Sequence, residues 1–353
     1  MATTTYRAEI DERRMERIRA LLLELPRSCA DFIRSIGTTT STLTRLAYVI
    51  DLQTFFTYAL REIPRFHAEK TSQIGDDELS ALKPRDLELY AEYLSYYKDE
   101  DDKTLQNHEY GIMRKLSTLR SYFDYLFRSE RVKGNIASLV DLPKLHEKPI
   151  LFLEPDEMQR LLEQAESGEA LTDRQQKYHL YTRLRDRAIL MLFLGPGIRV
   201  SECVGVDLED VDYTANALLV TRKGGNQVIL YFPQEVAEAL QAYQAERELV
   251  EALDGHEHAF FLSLQRRRIT QRAVELMVKK YAKLVVPLKR KMSPHKLRST
   301  YATNLYKETQ DIYLVAEALG HSDVNTTRKH YAAMSDARRR AAAQNTHLPS
   351  KEK

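Results

Sequence analysis

Ala217-Leu-Leu-Val-Thr221 and Gln227-Val-Ile-Leu-Tyr-Phe232 flank the turn Arg222-Lys223-Gly224-Gly225-Asn226. Two short runs of aliphatic, β-branched and aromatic residues around a glycine-containing turn are the signature of a β-hairpin. The segments around it have a helical period instead. On the C-terminal side, helical patterns cover residues 234–251, 270–284, 294–306 and 311–319, the last stopped by Gly320. On the N-terminal side, Glu154-Pro155-Asp156-Glu157 opens a helix that carries Met158, Leu161 and Leu162, with proline in its first turn and acids at its positive end. A polar stretch at 167–176 then precedes a nearly all-apolar helix at 187–194 that must be buried. The expectation is a mainly α fold with a small β-sheet in its second domain.

Farther toward the N-terminus, Asp141-Leu-Pro-Lys-Leu-His-Glu-Lys-Pro149 has two prolines and no periodicity, which reads as an extended linker. Before it come helices joined by polar breaks. Thr38-Thr-Thr-Ser41 offers N-cap hydroxyls to an apolar helix at 43–60, and Pro64 follows its end. A second helix begins near Pro84 and places Leu87, Tyr90, Leu94 and Tyr97 on one face. A third carries Ile112, Leu116, Leu119, Phe123 and Leu126 at alternating steps of four and three, with Gly134 beyond it. An amphipathic segment at 11–25, closed by Pro26, precedes them all. These apolar stripes read as core. The predicted division is 1–140, a helical domain; 141–150, the linker; and 151–353, a second domain with a C-terminal tail.

A chain of 353 residues is about twice the usual domain size, which agrees with two domains. With 43% hydrophobic and 29% charged residues, and 20 Tyr and 11 Phe to build cores, the composition is globular and excludes a disordered chain. The longest uninterrupted apolar run, 188–194, is far below the roughly 18 residues that cross a bilayer, and the first residues lack an apolar signal core. No membrane insertion is expected. Cys29 and Cys203 are too few for a disulfide framework or a thiolate metal cluster, which suits a reducing, cytoplasmic setting.

Charge is unevenly spread. Residues 261–340 hold 18 Lys and Arg against 6 Asp and Glu, a balance of +12, whereas residues 1–260 hold 33 against 44, a balance of −11. The basic clusters are Arg266-Arg267-Arg268 with Arg272, Lys289-Arg290-Lys291, and Arg338-Arg339-Arg340. Any one of them alone is an ordinary solvated face. Several within one segment make a positive surface that attracts a polyanion with salt-sensitive affinity, so nucleic acid leads the expected partners.

Four places in the second domain combine cations with positioning devices. In Gly195-Pro-Gly-Ile-Arg199-Val-Ser-Glu202, a buried helix ends at a tight turn and a new one begins, with Arg199 and Glu202 on one side of it. Alone, that is an ion pair. Lys223 sits at the hairpin tip and projects either into a cleft or into water. In Ser293-Pro-His295-Lys-Leu-Arg298, a serine cap and a first-turn proline set His295 and Arg298 at i and i+3 near a helix N-terminus, where oxyanions bind. Finally, His321 leaves the turn at Gly320, and Tyr331 follows ten residues later. Two arginines, two histidines, a lysine and a tyrosine, without a carboxylate cluster for metal, suit attack on a phosphodiester by a side-chain hydroxyl.

These motifs, from Gly197-Ile-Arg199-Val-Ser-Glu202 through Lys223, His295-Lys-Leu-Arg298 and Leu319-Gly-His321-Ser to Tyr331, occur in the order and approximate spacing of the tyrosine recombinases, or phage-integrase family, which the chain resembles. The resemblance covers the second domain and, more loosely, the first. Among members the chain is most similar to the Xer-type recombinases of chromosome-dimer resolution. Thr182-Arg-Leu-Arg-Asp-Arg-Ala-Ile-Leu190 and Thr221-Arg-Lys-Gly-Gly-Asn226 resemble the single-protein variant XerS, and the insert at 167–176 is longer than in the two-protein Xer pair. Two positions depart from the common pattern: Ser299 stands where many members carry a second histidine, and Ile136 follows Asn135 where proline is common.

The resemblance implies a two-domain tyrosine recombinase fold, a helical core-binding domain plus a mixed α/β catalytic domain, closing as a clamp on duplex DNA. It implies that the Tyr331 oxygen attacks a DNA phosphate, forming a 3′-phosphotyrosyl bond and freeing a 5′-hydroxyl, with no metal, ATP or other cofactor. Arg199, Arg298 and His321 would hold the non-bridging oxygens, Lys223 would protonate the leaving oxygen, His295 would serve as base toward Tyr331, and Glu202 would support the site. Arg266, Arg267, Arg268, Arg272, Lys289, Arg290 and Lys291 are the expected DNA contacts. A homotetramer on its DNA site, residues 335–344 passed to a neighbour, and a cell-division or accessory partner are further implications. A mobile-element integrase, a type IB topoisomerase and a non-catalytic DNA-binding regulator are the rival readings.

Overall fold

The computed structural model describes residues 6–98, 104–146, 151–222, 225–289, 291–320 and 324. The fold is mostly helical with a small antiparallel sheet, and contacts divide the chain into two units, Met1–Lys148 and Pro149–Lys353. Residues 141–146 form neither helix nor strand.

The first unit contains α1 (Tyr6–Leu22), α2 (Arg27–Ser35), α3 (Thr42–Glu62), α4 (Asp76–Ser80), α5 (Pro84–Ser95) and α6 (Glu109–Arg128), with β1 (Tyr97–Lys98) antiparallel to β2 (Thr104–Leu105). Ser41 caps α3, its hydroxyl accepting from the Thr44 N–H at 3.3 Å. The core is aromatic. Phe55 and Tyr90 meet edge to face with ring centroids 5.2 Å apart, as do Phe32 and Tyr122 at 5.6 Å, a geometry worth about 0.5–1.5 kcal/mol per pair beyond burial.

Two expectations fail here for local reasons. Pro26 does not only close α1; its extended backbone (φ −50°, ψ 142°) serves as the N-cap of α2, which buries Cys29, Phe32 and Ile33. Tyr97 does not share the α5 face, because α5 ends at Ser95 and Tyr97 enters β1, from where its ring still packs on Tyr93.

The second unit runs α7 (Pro155–Ser167), α8 (Asp173–His179), α9 (Arg183–Leu194), α10 (Val200–Cys203), β3 (Val211–Asp212), β4 (Ala217–Thr221), β5 (Gln227–Tyr231), α11 (Gln234–Glu248), α12 (Gln271–Val285), α13 (Pro294–Thr309) and α14 (Ile312–Leu319). The predicted hairpin is β4–β5, with Leu219 opposite Ile229, and β3 adds a third antiparallel strand in the order β3-β4-β5. Helix α9 is central: Ala188, Ile189, Leu190, Leu192 and Phe193 are fully buried, and α7, α11 and α13 pack around it. The polar stretch at 167–176 is not all loop. It leads into α8, held down by His179, whose buried ring lies with Nε2 2.9 Å from the Ala165 carbonyl oxygen. Among the described residues no helix is long and apolar enough to cross a membrane.

Candidate active site

Helix α9 stops at Gly195, and the chain reverses through Pro196 and Gly197 before α10 starts. Gly197 adopts φ +64°, and a Cβ there would lie 2.2 Å from Cδ1 of Tyr301, so both the backbone and the packing of α13 require glycine. This turn sets Arg199 as the residue before α10. Glu202, one turn on and buried, accepts the Arg199 backbone N–H on Oε2 at 2.9 Å and the Arg199 guanidinium on Oε1 at 2.7 Å. The ion pair read from sequence therefore exists, and it fixes the direction of Arg199.

Arg199 also reaches the end of α14, donating from Nη2 to the carbonyls of Leu319 (2.9 Å) and Gly320 (3.1 Å). Arg298 arrives at the same place from the first turns of α13. Its buried guanidinium donates to the carbonyls of Gly197 and Leu319. Leu319 is delivered there by apolar packing of α14 on α13, through Ala302, Val315, Leu319 and Tyr301. Burial pushes the Arg298 guanidinium down to about 10, and the neighbouring Arg199 charge pushes the same way. Two arginines almost a hundred residues apart thus share one carbonyl oxygen.

A third guanidinium, which sequence reasoning passed over, joins them. Arg222 follows the last residue of β4; its Nε lies 4.0 Å from Glu202 Oε1, and its Nη2 lies 3.5 Å from the Ala318 carbonyl. The available signal was its place beside Lys223 at the hairpin turn, but a strand-end arginine reads as solvated until the partner helix is known. Burial lowers the Arg222 pKa below its ordinary value, with Glu202 opposing and Arg199 adding to that shift. His295 stands exposed in the first turn of α13, one turn before Arg298. Lys223, His321 and Tyr331 lie outside the described residues.

The expected DNA contacts divide. Arg266, Arg267, Arg272 and Lys291 are exposed, with Arg272 paired to Glu275 at 3.2 Å, and Arg290 lies outside the described residues. Arg268 is a correction: it is buried and donates to the carbonyls of Val204 (3.2 Å) and Val206 (3.0 Å) and to Asp207, which ties it to the turn after α10, where the Val206 carbonyl also accepts from the Phe260 N–H at 3.0 Å. Lys289 is likewise turned inward, donating to the Phe152 carbonyl (2.7 Å) and to Glu157. Among the described residues, no group of three or more His, Cys, Asp or Glu is placed to hold a metal ion.

Residues 151–338, the segment that carries this cluster, match the model described as the phage integrase family. Curated relatives include the tyrosine recombinase XerC of Thermodesulfovibrio yellowstonii, 36% identical over 62% of this chain and 69% of its own length. Another is the tyrosine recombinase XerC of Chlorobaculum tepidum, 32% identical over 81% and 84%. Among solved structures, the XerH site-specific recombinase in a post-cleavage complex with a palindromic difH substrate is similar at a TM-score of 0.61, with 20% identity over 86% of this chain and 80% of that one. A lambda integrase dimer bound to a core site gives 0.57 with 14% identity over 85% and 95%.

Proposed function

The chain belongs to the phage integrase family, the tyrosine recombinases, and from that premise we propose that it cuts and rejoins DNA at a specific site through a covalent 3′-phosphotyrosyl intermediate, in the Xer-type role of resolving chromosome dimers. The observation that carries the chemistry is the convergence of Arg199 and Arg298 on the end of α14, with Glu202 bonded to Arg199 and 4.0 Å from Arg222. Cations in excess of their counter-charge, partly buried, form a site that an anion completes.

In this reading the scissile phosphate takes the place that the α14 carbonyls occupy as acceptors for Arg199 and Arg298, and each guanidinium meets non-bridging oxygens through paired donors. Tyr331 oxygen attacks phosphorus, its proton passing to a base for which His295 is the candidate. The bond from phosphorus to the 5′-oxygen breaks, and Lys223 supplies the proton that the leaving alkoxide needs. The phosphodiester energy is retained in the tyrosyl ester, so a 5′-hydroxyl of another strand can reverse the step without ATP. Glu202 keeps Arg199 oriented through both of its oxygens. The XerC-named relatives favour the chromosomal role, and the resemblances in 182–190 and 221–226 favour the XerS subtype. Assembly as a homotetramer on DNA in the cytoplasm, with a cell-division or accessory partner, follows from that role.

The test is a suicide duplex carrying the sequence that the chain protects from nuclease. Wild type should become covalently linked to it, and Tyr331→Phe should bind equally but form no adduct. An adduct that persists in Tyr331→Phe removes the nucleophile assignment.

A further inference from the structure

Among the described residues, counting charge at the cluster gives a mismatch with only two phosphate-holding arginines. Arg199 and Arg298 against Glu202 leave a net charge of one, which matches a phosphodiester in its ground state. Attack by a phenolate adds a second negative charge to the phosphorus centre in the transition state. Arg222 raises the excess among the described residues to two, standing 4.0 Å from the same Glu202 oxygen that Arg199 binds. We propose, resting on the strand-transfer reading above, that Arg222 is a third cation of the phosphate cradle, acting on the charge that develops in the transition state and not on ground-state binding.

The placement is built into the chain. The three guanidiniums take successive carbonyls at the end of α14: Arg222 at Ala318, Arg199 and Arg298 at Leu319, and Arg199 again at Gly320. The C-terminal end of a helix is where cations are favoured, so this row gathers them. Gly320 leaves room for the third. It adopts the left-handed conformation (φ 58°, ψ 48°), and a Cβ on it would overlap Arg222 Nη1 at 1.8 Å. The Arg222 backbone is fixed as well: its N–H donates to the Asn226 carbonyl at 2.8 Å, and its own carbonyl accepts from Gly225 at 3.1 Å, which closes the turn of the hairpin. Its side chain, only 16% exposed, is therefore oriented from both ends. A guanidinium held this way, desolvated and near Arg199, gains more from an added negative charge than a solvated one does.

The experiment compares wild type, Arg222→Lys and Arg222→Ala in single-turnover cleavage of the suicide duplex. One duplex carries the ordinary scissile phosphate, and its twin carries a methylphosphonate there, which lacks the ground-state charge. Thermal melting first verifies that each variant is folded. On phosphate, Arg222→Ala should cleave about tenfold to a hundredfold more slowly while binding the duplex within about threefold of wild type, and Arg222→Lys should recover most of the rate. On methylphosphonate the gap between wild type and Arg222→Ala should shrink to a few-fold. A wild-type rate for Arg222→Ala on phosphate overturns the proposal. So does an equal loss on both duplexes with no recovery by lysine, which marks a purely structural support of the hairpin. A wild-type chain that forms an adduct with neither duplex overturns the strand-transfer reading itself.

Discussion

Asp51 in the first unit and Glu202 in the second are both buried carboxylates surrounded by cations, yet they are built in opposite ways. Around Asp51 every partner points at the anion: Lys115 Nζ at 3.0 Å on one oxygen, Thr118 hydroxyl at 2.9 Å and Arg114 on the other. Around Glu202 the cations instead spend much of their donor capacity on backbone carbonyls of α14 and of the turn at Gly197, and two of them, Arg199 and Arg222, share the carboxylate. An anion-centred cluster is complete and ties α3 to α6. A cation-centred cluster at a helix end is poised to accept a further negative group. Burial of charge alone does not mark a functional site; the nature of the acceptors that the cations meet does.

The contrast predicts its largest effect at Asp51. Asp51→Ala leaves the buried Lys115 ammonium without its counter-charge, and breaking a buried pair from one side typically costs about 3–5 kcal/mol of folding stability. Denaturant unfolding should register that loss, while adduct formation per folded molecule stays near wild type. A loss below about 1 kcal/mol would show that the cluster is not closed in the sense argued.

At Arg298 the balance should invert. Removing a cation that burial and Arg199 already disfavour relieves part of the desolvation cost, so Arg298→Ala should alter stability less than Asp51→Ala does. Its cleavage rate should fall about a hundredfold to a thousandfold, equivalent to about 3–4 kcal/mol of barrier. Single-turnover cleavage and unfolding measured on the same preparation decide the matter. A variant that unfolds like Asp51→Ala would place Arg298 among the fold-building charges.

Gly197→Ala should affect both properties at once, to a smaller extent. The left-handed backbone costs an alanine about 1–2 kcal/mol, and the new Cβ displaces the Tyr301 ring, which neighbours Arg298. Combining it with Tyr301→Leu should recover part of the cleavage rate but not the backbone strain. No recovery would mean that strain alone accounts for the loss.

The two regions also differ in what the sequence discloses. The hairpin, the stripe from Ile112 to Leu126 and the Ser41 cap were legible because each depends on contiguous residues. The helix at Arg27–Ser35 was hidden, since Pro26 reads equally as the end of one helix and the start of the next. In the site, Arg199, Glu202 and Arg298 carried motif signals. Arg222 did not, because its meaning comes from the end of a helix almost a hundred residues away. The run Arg266-Arg267-Arg268 shows the same limit. Its third arginine turns inward to the carbonyls of Val204 and Val206, and nothing in three consecutive arginines says which one will do so.

The smallest predicted effect lies at a pair with the same chemistry but in water. His258 Nδ1 is 2.7 Å from Glu209 Oε1, and both side chains are more than 60% exposed. The hydrogen bond to Glu209, and then its charge, raise the His258 pKa above the usual imidazole value. A raised value in the folded state means that the pair's contribution is fully present below the unfolded histidine's pKa and is lost as pH climbs through the folded one. Glu209→Gln should therefore bring the His258 titration, followed by NMR, down toward the ordinary range. Solvent already screens these charges, so thermal melting at neutral pH should hardly change. If Glu209→Gln instead lowered the melting point as much as Asp51→Ala, exposure would not be what separates the weak pair from the strong cluster, and the division drawn between Asp51 and Glu202 would need another physical basis.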